Sequence, residues 1–197
     1  MDAQDPRPAA PEPPPEAAAG EDCLERARRG DLSAFRELML AHQARVFSVA
    51  LRFTGQRTDA EELLQDVFLQ LHGVLAQIAS EAHLRHWLLR TVSHRCIDRL
   101  RHDSRRPRLV PLAALGTAVE PQATERGADP LAAAQLRELM LQLAPDARAV
   151  MLLRFQEDLD PTDIAAVLAM PVTTVKSHLR RSLDWLRARL PGDHHEA

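Results

Sequence analysis

Hydroxyl and cationic side chains cluster in the stretch PVTTVKSHLRR, which runs from Pro171 to Arg181 and contains Lys176, the only lysine in the chain. Hydroxyl groups and the amino end of a helix suit phosphate oxygens, whereas lysine and arginine suit phosphates or guanine edges. The pattern therefore indicates DNA contact, with a solvated helix face as the alternative. The candidate residues are Thr173, Thr174, Lys176, Ser177, Arg180 and Arg181.

Two predicted helices would position this cluster. Asp160 can cap a short helix over 161–168 with proline at its first position, where a missing N–H costs nothing. A tight turn at Ala169–Met170 separates it from a second helix over 172–189, whose apolar residues fall on one face. This arrangement matches a helix-turn-helix, in which the first turns of the second helix enter the major groove of DNA.

A second cluster is cationic and lies on the predicted helix HLRHWLLRTVSHRCIDRLRHDSRR. Its arginines face only two acidic residues of the same segment, Asp98 and Asp103, whereas a solvated face usually mixes charges of both signs. One-signed charge favours contact with a polyanion, and the alternative is a face that only increases solubility. The arginines considered are Arg85, Arg90, Arg95, Arg99, Arg101, Arg105, Arg106 and Arg108.

A third cluster is acidic and polar. It lies mostly on faces other than the apolar stripe of a predicted helix that starts near Thr58. We expect Thr58 and Glu61 to form a capping box at its beginning. The polar face contains Asp59, Glu61, Glu62, Gln65 and Asp66. Taken alone, such a face is typical of simple exposure to solvent.

Enzymatic chemistry has little support in the sequence. His94 and Cys96 are two residues apart on a predicted helix, so they point to different faces and form no helical metal pair. Neither a glycine-rich phosphate loop nor a nucleophile elbow is present. We expect no catalytic residue, no metal site and no cofactor.

The composition predicts an all-α fold, because leucine, alanine and arginine dominate and β-branched runs are scarce. A net charge of −3 argues against a non-specific nucleic-acid coat, which would be basic overall. Two cysteines are too few for a disulfide framework, and no apolar run approaches the roughly 20 residues of a membrane span. We therefore expect a cytoplasmic protein.

Composition also divides the chain into two small helical domains joined by a flexible linker. The stretch 1–22 is rich in proline, alanine and acid and is predicted to be a disordered tail. The first domain is expected over 23–108 and the second over 131–191. Prolines and glycines interrupt every helical period in the linker, 109–130, and a short tail covers 192–197.

Three stretches together resemble the ECF (extracytoplasmic function) group of bacterial RNA polymerase sigma factors. DAEELLQDVFLQL resembles the helix of this family that binds core polymerase. WLLRTVSHRCIDRLR resembles its minus-ten-element helix, and DIAAVLAMPVTTVKSHLRRSLDWLR resembles its minus-thirty-five-element reader. The motifs occur in the order of the family, at spacings that suit sigma regions 2 and 4 in the first and second domains.

The resemblance implies a role for each cluster. The acidic-polar face from Asp59 to Asp66 would meet the clamp of core polymerase, and region 4 would contact the flap. The arginine helix, with His94, would capture the opened minus-ten strand, and the cluster from Thr173 to Arg181 would read the minus-thirty-five element. It further implies promoter DNA as a partner, a monomer when free, and an anti-sigma factor that covers these surfaces.

The sequence departs from the family pattern at three positions. His94 stands where the family usually has asparagine, and Ala169 and Thr173 stand where it often has glycine.

Two other classes of protein stay open. One alternative is a helix-turn-helix regulator that acts without polymerase and would not need the acidic face. The other is a helical interaction protein, which would not need polar residues facing DNA.

Overall fold

A computed structural model describes residues 22–105 and 130–190, with side chains over 22–102 and 131–190. We call the two ranges the first and second segments. Both are helical, and no strand occurs within either. The helices are α1 (Cys23–Arg28), α2 (Leu32–Thr54), α3 (Arg57–Val74), α4 (Glu81–Arg105), α5 (Pro130–Gln142), α6 (Pro145–Phe155), α7 (Pro161–Leu168) and α8 (Val172–Arg187), with a 3-10 turn at Leu75–Gln77. The tail expected over 1–22 lies outside this range except for Asp22. Residues 106–108 of the expected first domain, the expected linker except for Pro130, and residues 191–197 also lie outside it.

Helix ends follow local sequence signals at most positions. Asp31 caps α2 by accepting from the N–H groups of Ser33 and Ala34, and Asp160 caps α7 in the same way. Gly55 ends α2 in the left-handed conformation, with φ of 72°. These bonds satisfy N–H groups that have no partner inside the helix.

The capping box expected at Thr58 and Glu61 does not form. The helix α3 begins at Arg57, so the N-cap position falls on Gln56, two residues before Thr58, and the Gln56 side chain makes no capping bond. Glu61 instead accepts from Arg57 Nε at 2.8 Å, an ion pair between residues four apart. The earlier start places Thr58 inside the helix, where it cannot cap.

The first segment packs α2, α3 and α4 around an apolar core. Val67 and Leu71 of α3 are fully buried, as is Phe53 at the end of α2. Leu84 and Val92 provide the matching face of α4. The pairing of α3 with α4 sets the acidic cluster beside the arginine cluster.

The second segment contains the predicted helix-turn-helix. The turn is made by Ala169, which ends α7 in the left-handed conformation with φ of 52°, and Pro171 is the N-cap of α8. Val175 and Leu186 of α8 are buried, which confirms its apolar face. The helix α8 ends at Arg187, two residues before the predicted end.

The two segments share one core rather than standing apart. Buried residues of α6 and α7, including Val150 and Ile164, belong to the same apolar cluster as Phe53 and Val92 of the first segment. Contacts run from α4 to α6 and α7, and from α2 to α5 and α6. None of the helices in the described ranges has the length and apolar character needed to cross a membrane.

Candidate nucleic-acid interface

The first turns of α8 present a cationic surface to solvent. Thr173, Lys176, Arg180 and Arg181 are exposed. Val175 is buried beneath them and anchors the helix, so the polar residues face outward because of the amphipathic pattern. This surface has the geometry expected of a DNA-reading helix.

Two residues of this cluster are less open than the pattern predicted. Thr174 and Ser177 are half-buried, and Ser177 Oγ donates to the carbonyl of Thr173 at 2.9 Å. Thr174 lines a cleft of about 290 Å³ between α8 and α4, together with His94 and His178. The helix α4 packs against the helix-turn-helix and reduces the solvent exposure of this side of α8. No local sequence pattern indicates this packing.

The residues of the arginine cluster on α4 differ in how far they are exposed to solvent. Arg85, Arg90, Arg95 and Arg101 are exposed, whereas His94 and Arg99 are half-buried. The helix continues through Arg105, whose side chain is not described, and Arg106 and Arg108 lie outside the described residues.

The polar partners of these cations come from other helices. Arg95 lies 3.4 Å from Asp66 and 3.2 Å from the amide oxygen of Gln70. Arg99 donates at 2.7 Å to Asp59 and at 2.7 Å to Glu62. Asp98 and Asp103 are therefore not the only acids that face these arginines, because α3 lies alongside α4 and supplies further carboxylates.

The acidic cluster of α3 is thus partly paired within the protein. Its exposed members include Glu62, Gln65 and Asp66, while Asp59 is half-buried beside Arg99. Ion pairs at such exposure contribute little to stability, so the carboxylates can exchange partners at small cost. The surface is acidic at its outer edge and neutralised where it meets α4.

A buried arginine was missed by the sequence analysis. Arg148 on α6 is 6% exposed, and its guanidinium donates to the main-chain carbonyls of Phe53, Leu141 and Leu143. Nε has no hydrogen-bond partner in the described part of the chain. Burial lowers the pKa of this group from its ordinary value. A single arginine inside the apolar run ARAVMLL was the available signal.

Further polar bridges join the segments. Arg45 of α2 pairs with Glu157 just after α6, and Gln156 Nε2 donates to Ser48 Oγ at 3.1 Å. Arg101 donates to both carboxylate oxygens of Asp146, at 2.8 and 2.9 Å. Within the described ranges, no group of three or more histidine, cysteine or carboxylate side chains could hold a metal ion.

Comparison with known families matches both segments. Residues 38–106 match the family model for sigma-70 region 2, and residues 133–186 match that for sigma-70, region 4. Together the two matches cover the acidic cluster, the arginine cluster as far as Arg106, and the helix-turn-helix.

Curated relatives match along most of their length. The RNA polymerase sigma-E factor of Streptomyces avermitilis is 31% identical over 82% of this chain and 87% of its own. The ECF RNA polymerase sigma factor SigC of Mycobacterium tuberculosis is 29% identical over 82% of this chain and 86% of its own. ECF sigma factor SigW of Bacillus subtilis is 24% identical over 85% and 94%.

Solved structures share the fold. The sigma factor RpoE of Bartonella quintana, in complex with the anti-sigma factor NepR, superposes with a TM-score of 0.65, at 17% identity over 83% of this chain and all of that chain. CnrH, in complex with the cytosolic domain of CnrY, gives a TM-score of 0.61 at 22% identity over 87% and 96%. The chain belongs to the ECF group of the sigma-70 family, whose members direct promoter-specific transcription by RNA polymerase.

Proposed function

We propose that three surfaces of this sigma factor divide the work of initiation. The acidic face of α3 binds the clamp of core polymerase, α4 captures the opened minus-ten strand, and α8 reads the minus-thirty-five element. The observation that carries the proposal is that α3, α4 and α8 each expose one polar surface to solvent. Asp66, Arg85 and Arg180 are exposed residues on these three surfaces. The chain itself acts as a DNA-binding regulator rather than an enzyme.

The division follows the charge of each surface. Carboxylates on α3 would oppose cations on the polymerase, whereas the cations of α4 and α8 suit phosphate oxygens and splayed bases. Arg180 and Lys176 lie in the turns of α8 that a helix-turn-helix inserts into the major groove. Each surface alone binds weakly, and core polymerase would hold both DNA readers on one promoter and so raise their effective concentration.

Other partners follow from the same reading. Region 4 would also contact the polymerase flap. An anti-sigma factor is a further partner, because RpoE of Bartonella quintana, which shares the fold, was solved in complex with the anti-sigma factor NepR. We place the free chain in the cytoplasm as a monomer. Affinity capture on the purified chain from its native lysate, followed by identification of the bound protein, tests the anti-sigma partner.

Run-off transcription with core polymerase tests the function. Core polymerase with this chain should give transcripts of discrete length from a promoter-bearing fragment, and the two should co-elute in gel filtration. Core alone is the control. The proposal fails when no promoter-specific transcript appears and no complex with core elutes. Binding to DNA as a dimer without polymerase would instead indicate an independent regulator.

A further inference from the structure

Arg85 differs from the other arginines of α4 because it makes no hydrogen bond or ion pair with the part of the chain that the structure describes. Arg90 Nη1, in contrast, donates to the carbonyl of Ala166 on α7 at 2.9 Å. The other arginines of α4 whose side chains bond protein groups are Arg95, Arg99 and Arg101. Arg85 is exposed, so a polyanion can bind its guanidinium without displacing a protein partner.

An acid that could neutralise Arg85 lies one turn earlier on the same helix. The helix α4 begins at Glu81, which precedes Arg85 by four residues. Glutamate four residues before a basic side chain is a favourable arrangement for an ion pair on a helix surface. Residues four apart do form such a pair on α3, where Arg57 Nε lies 2.8 Å from Glu61 Oε1.

Glu81 bonds a histidine of another helix instead. His42 Nε2 lies 2.9 Å from Glu81 Oε1, and a carboxylate only accepts, so the ring nitrogen is the donor. His42 belongs to the buried stripe of α2, between Leu38 and Val46, and its side chain is 11% exposed. The bond holds the carboxylate of Glu81 against α2, and this carboxylate forms no ion pair with Arg85.

Burial determines which partner Glu81 keeps. A buried donor that loses its acceptor costs the protein the desolvation of that group, whereas an exposed ion pair on a helix contributes little. His42 is buried, while Arg85 is exposed and can donate to water. The bond to His42 therefore outweighs the pair that Glu81 could form with Arg85.

The start of α4 is also fixed by contacts that do not involve His42. Ser80 caps the helix, because its Oγ accepts from the N–H of His83 at 3.1 Å. His83 Nδ1 accepts from the N–H of Ala79 at 3.1 Å, and the side chain of Ile78 is fully buried. Loss of the bond to His42 would therefore release the side chain of Glu81 without releasing the first turn of α4.

We propose that His42 is a positioning residue for DNA capture, which holds Glu81 on α2 and so keeps Arg85 unpaired for the phosphates of the opened strand. The inference rests on the proposed role of α4. His42 itself belongs to none of the proposed DNA or polymerase surfaces. Once released, Glu81 would pair with Arg85 and bring a carboxylate toward the bound strand, which lowers affinity twice over.

Two uncharged replacements of His42 separate the bond from the filling of the site. His42→Gln keeps a donor near the position of Nε2, whereas His42→Leu fills the site without one. The nitrogen NMR resonance of Arg85 Nε, assigned by its absence in Arg85→Ala, reports whether Glu81 pairs with this side chain. We expect His42→Leu to shift the resonance and His42→Gln to leave it near its parent position. Glu81→Gln added to His42→Leu should restore the parent position, because no carboxylate remains to pair.

Affinity for DNA is the second measurement. The probe is a fluorescein-labelled single-stranded oligonucleotide of mixed sequence, because cationic tracking of the backbone is largely independent of sequence. His42→Leu should weaken binding about threefold, and His42→Gln should bind as the parent does. The same change to leucine should have no effect in a Glu81→Gln or an Arg85→Ala protein, because one member of the competing pair is then missing.

Circular dichroism checks that helix content is unchanged, and His42→Met, which also lacks a donor, replaces His42→Leu if helix content is lost. The inference is overturned by an Arg85 resonance that stays in place in the leucine variant. It is equally overturned if the leucine and glutamine variants lose the same affinity, or if the loss persists without the carboxylate of Glu81.

Failure of the proposed function gives a different result. If Arg85→Ala binds the oligonucleotide as tightly as the parent, the role proposed for the start of α4 is wrong, and the inference fails with it even when the resonance moves. The NMR measurement needs neither DNA nor polymerase, so it tests the competition between His42 and Arg85 for Glu81 separately.

Discussion

Arg99 on α4 donates from Nη2 to Oδ1 of Asp59 on α3 at 2.7 Å. The bond joins a residue proposed to contact DNA with one proposed to contact polymerase. Its other terminal nitrogen bonds Glu62, so two carboxylates of the acidic face share a single guanidinium. In the free protein, each surface therefore reduces the charge that the other can offer to a partner.

Reversal of Asp66 should weaken binding to core polymerase. Asp66 is 53% exposed and its distance to Arg95 is 3.4 Å, so Asp66→Lys removes little folding energy, about 1 kcal/mol or less. The dissociation constant for core, measured by fluorescence anisotropy, should rise about tenfold because a charge at the interface rim changes sign. Glu25→Lys is the matched control, because Glu25 is 52% exposed and also paired. Equal losses in the two variants would contradict the assignment.

Reversal of Arg180 should affect DNA reading without affecting core binding. Arg180 is exposed on the third turn of α8, and Arg180→Glu should lower run-off transcription about tenfold from promoters that depend on the upstream element. Arg187→Glu is the control on the same helix, because Arg187 lies in the last turn, away from the residues that enter the groove. Loss of core binding by Arg180→Glu would refute the division between surfaces.

Local sequence signals predicted most helices and the candidate residues. The cap at Asp160 and the turn at Ala169 depend on hydrogen bonds and dihedral angles within a few residues. The spacing of apolar residues along the sequence likewise shows which face of a helix is buried. The capping box at Thr58 was wrong because the N-cap lies two residues earlier, at Gln56, and this shift changes which side chain can reach the free N–H groups.

Contacts between distant helices could not be predicted in this way. Periodicity does not say which buried face meets which, so neither the pairing of Arg99 with α3 nor the packing of Arg90 on α7 was foreseen. The resemblance to a two-domain family predicted the two helical segments but not the apolar core that they share. Arg148 shows the difficulty most plainly, since its acceptors lie 5 to 95 residues away in the sequence.

Removal of the buried guanidinium should destabilise the fold. Arg148→Met leaves the carbonyls of Phe53, Leu141 and Leu143 without this donor, at a cost of about 2–4 kcal/mol in the free energy of unfolding. Urea denaturation followed by circular dichroism measures it. Arg154→Met on the same helix is the control, because Arg154 is 40% exposed and water can replace its bonds. A cost no larger than that of the control would show that the buried bonds contribute nothing.

Glycine at the turn of the helix-turn-helix should stabilise it. Ala169 adopts φ of 52°, a conformation that costs a residue with a Cβ about 1–2 kcal/mol and costs glycine nothing. Because glycine also loses more chain entropy, we expect Ala169→Gly to gain about 0.5–1 kcal/mol in thermal unfolding. The control Ala166→Gly, on the exposed side of α7, should lose about 1 kcal/mol. A loss at both positions would mean that the turn is not strained.

Acid should remove the contribution of the cap at α7. The amides of Asp163 and Thr162 donate to Asp160 and hold the pKa of its carboxyl below its usual value of 3.8. Because the folded-state pKa is the lower one, the charged cap stabilises the fold above the unfolded pKa, and this stability is lost as pH falls through the folded pKa. Asp160→Asn keeps an acceptor but does not titrate, so the difference in unfolding midpoint between parent and variant should be constant above about pH 5 and shrink in more acidic buffer. Asp184→Asn on α8, at an exposed carboxylate that caps no helix start, is the control. A parent–variant difference that stays constant into acid would show that the carboxylate charge contributes nothing to the cap.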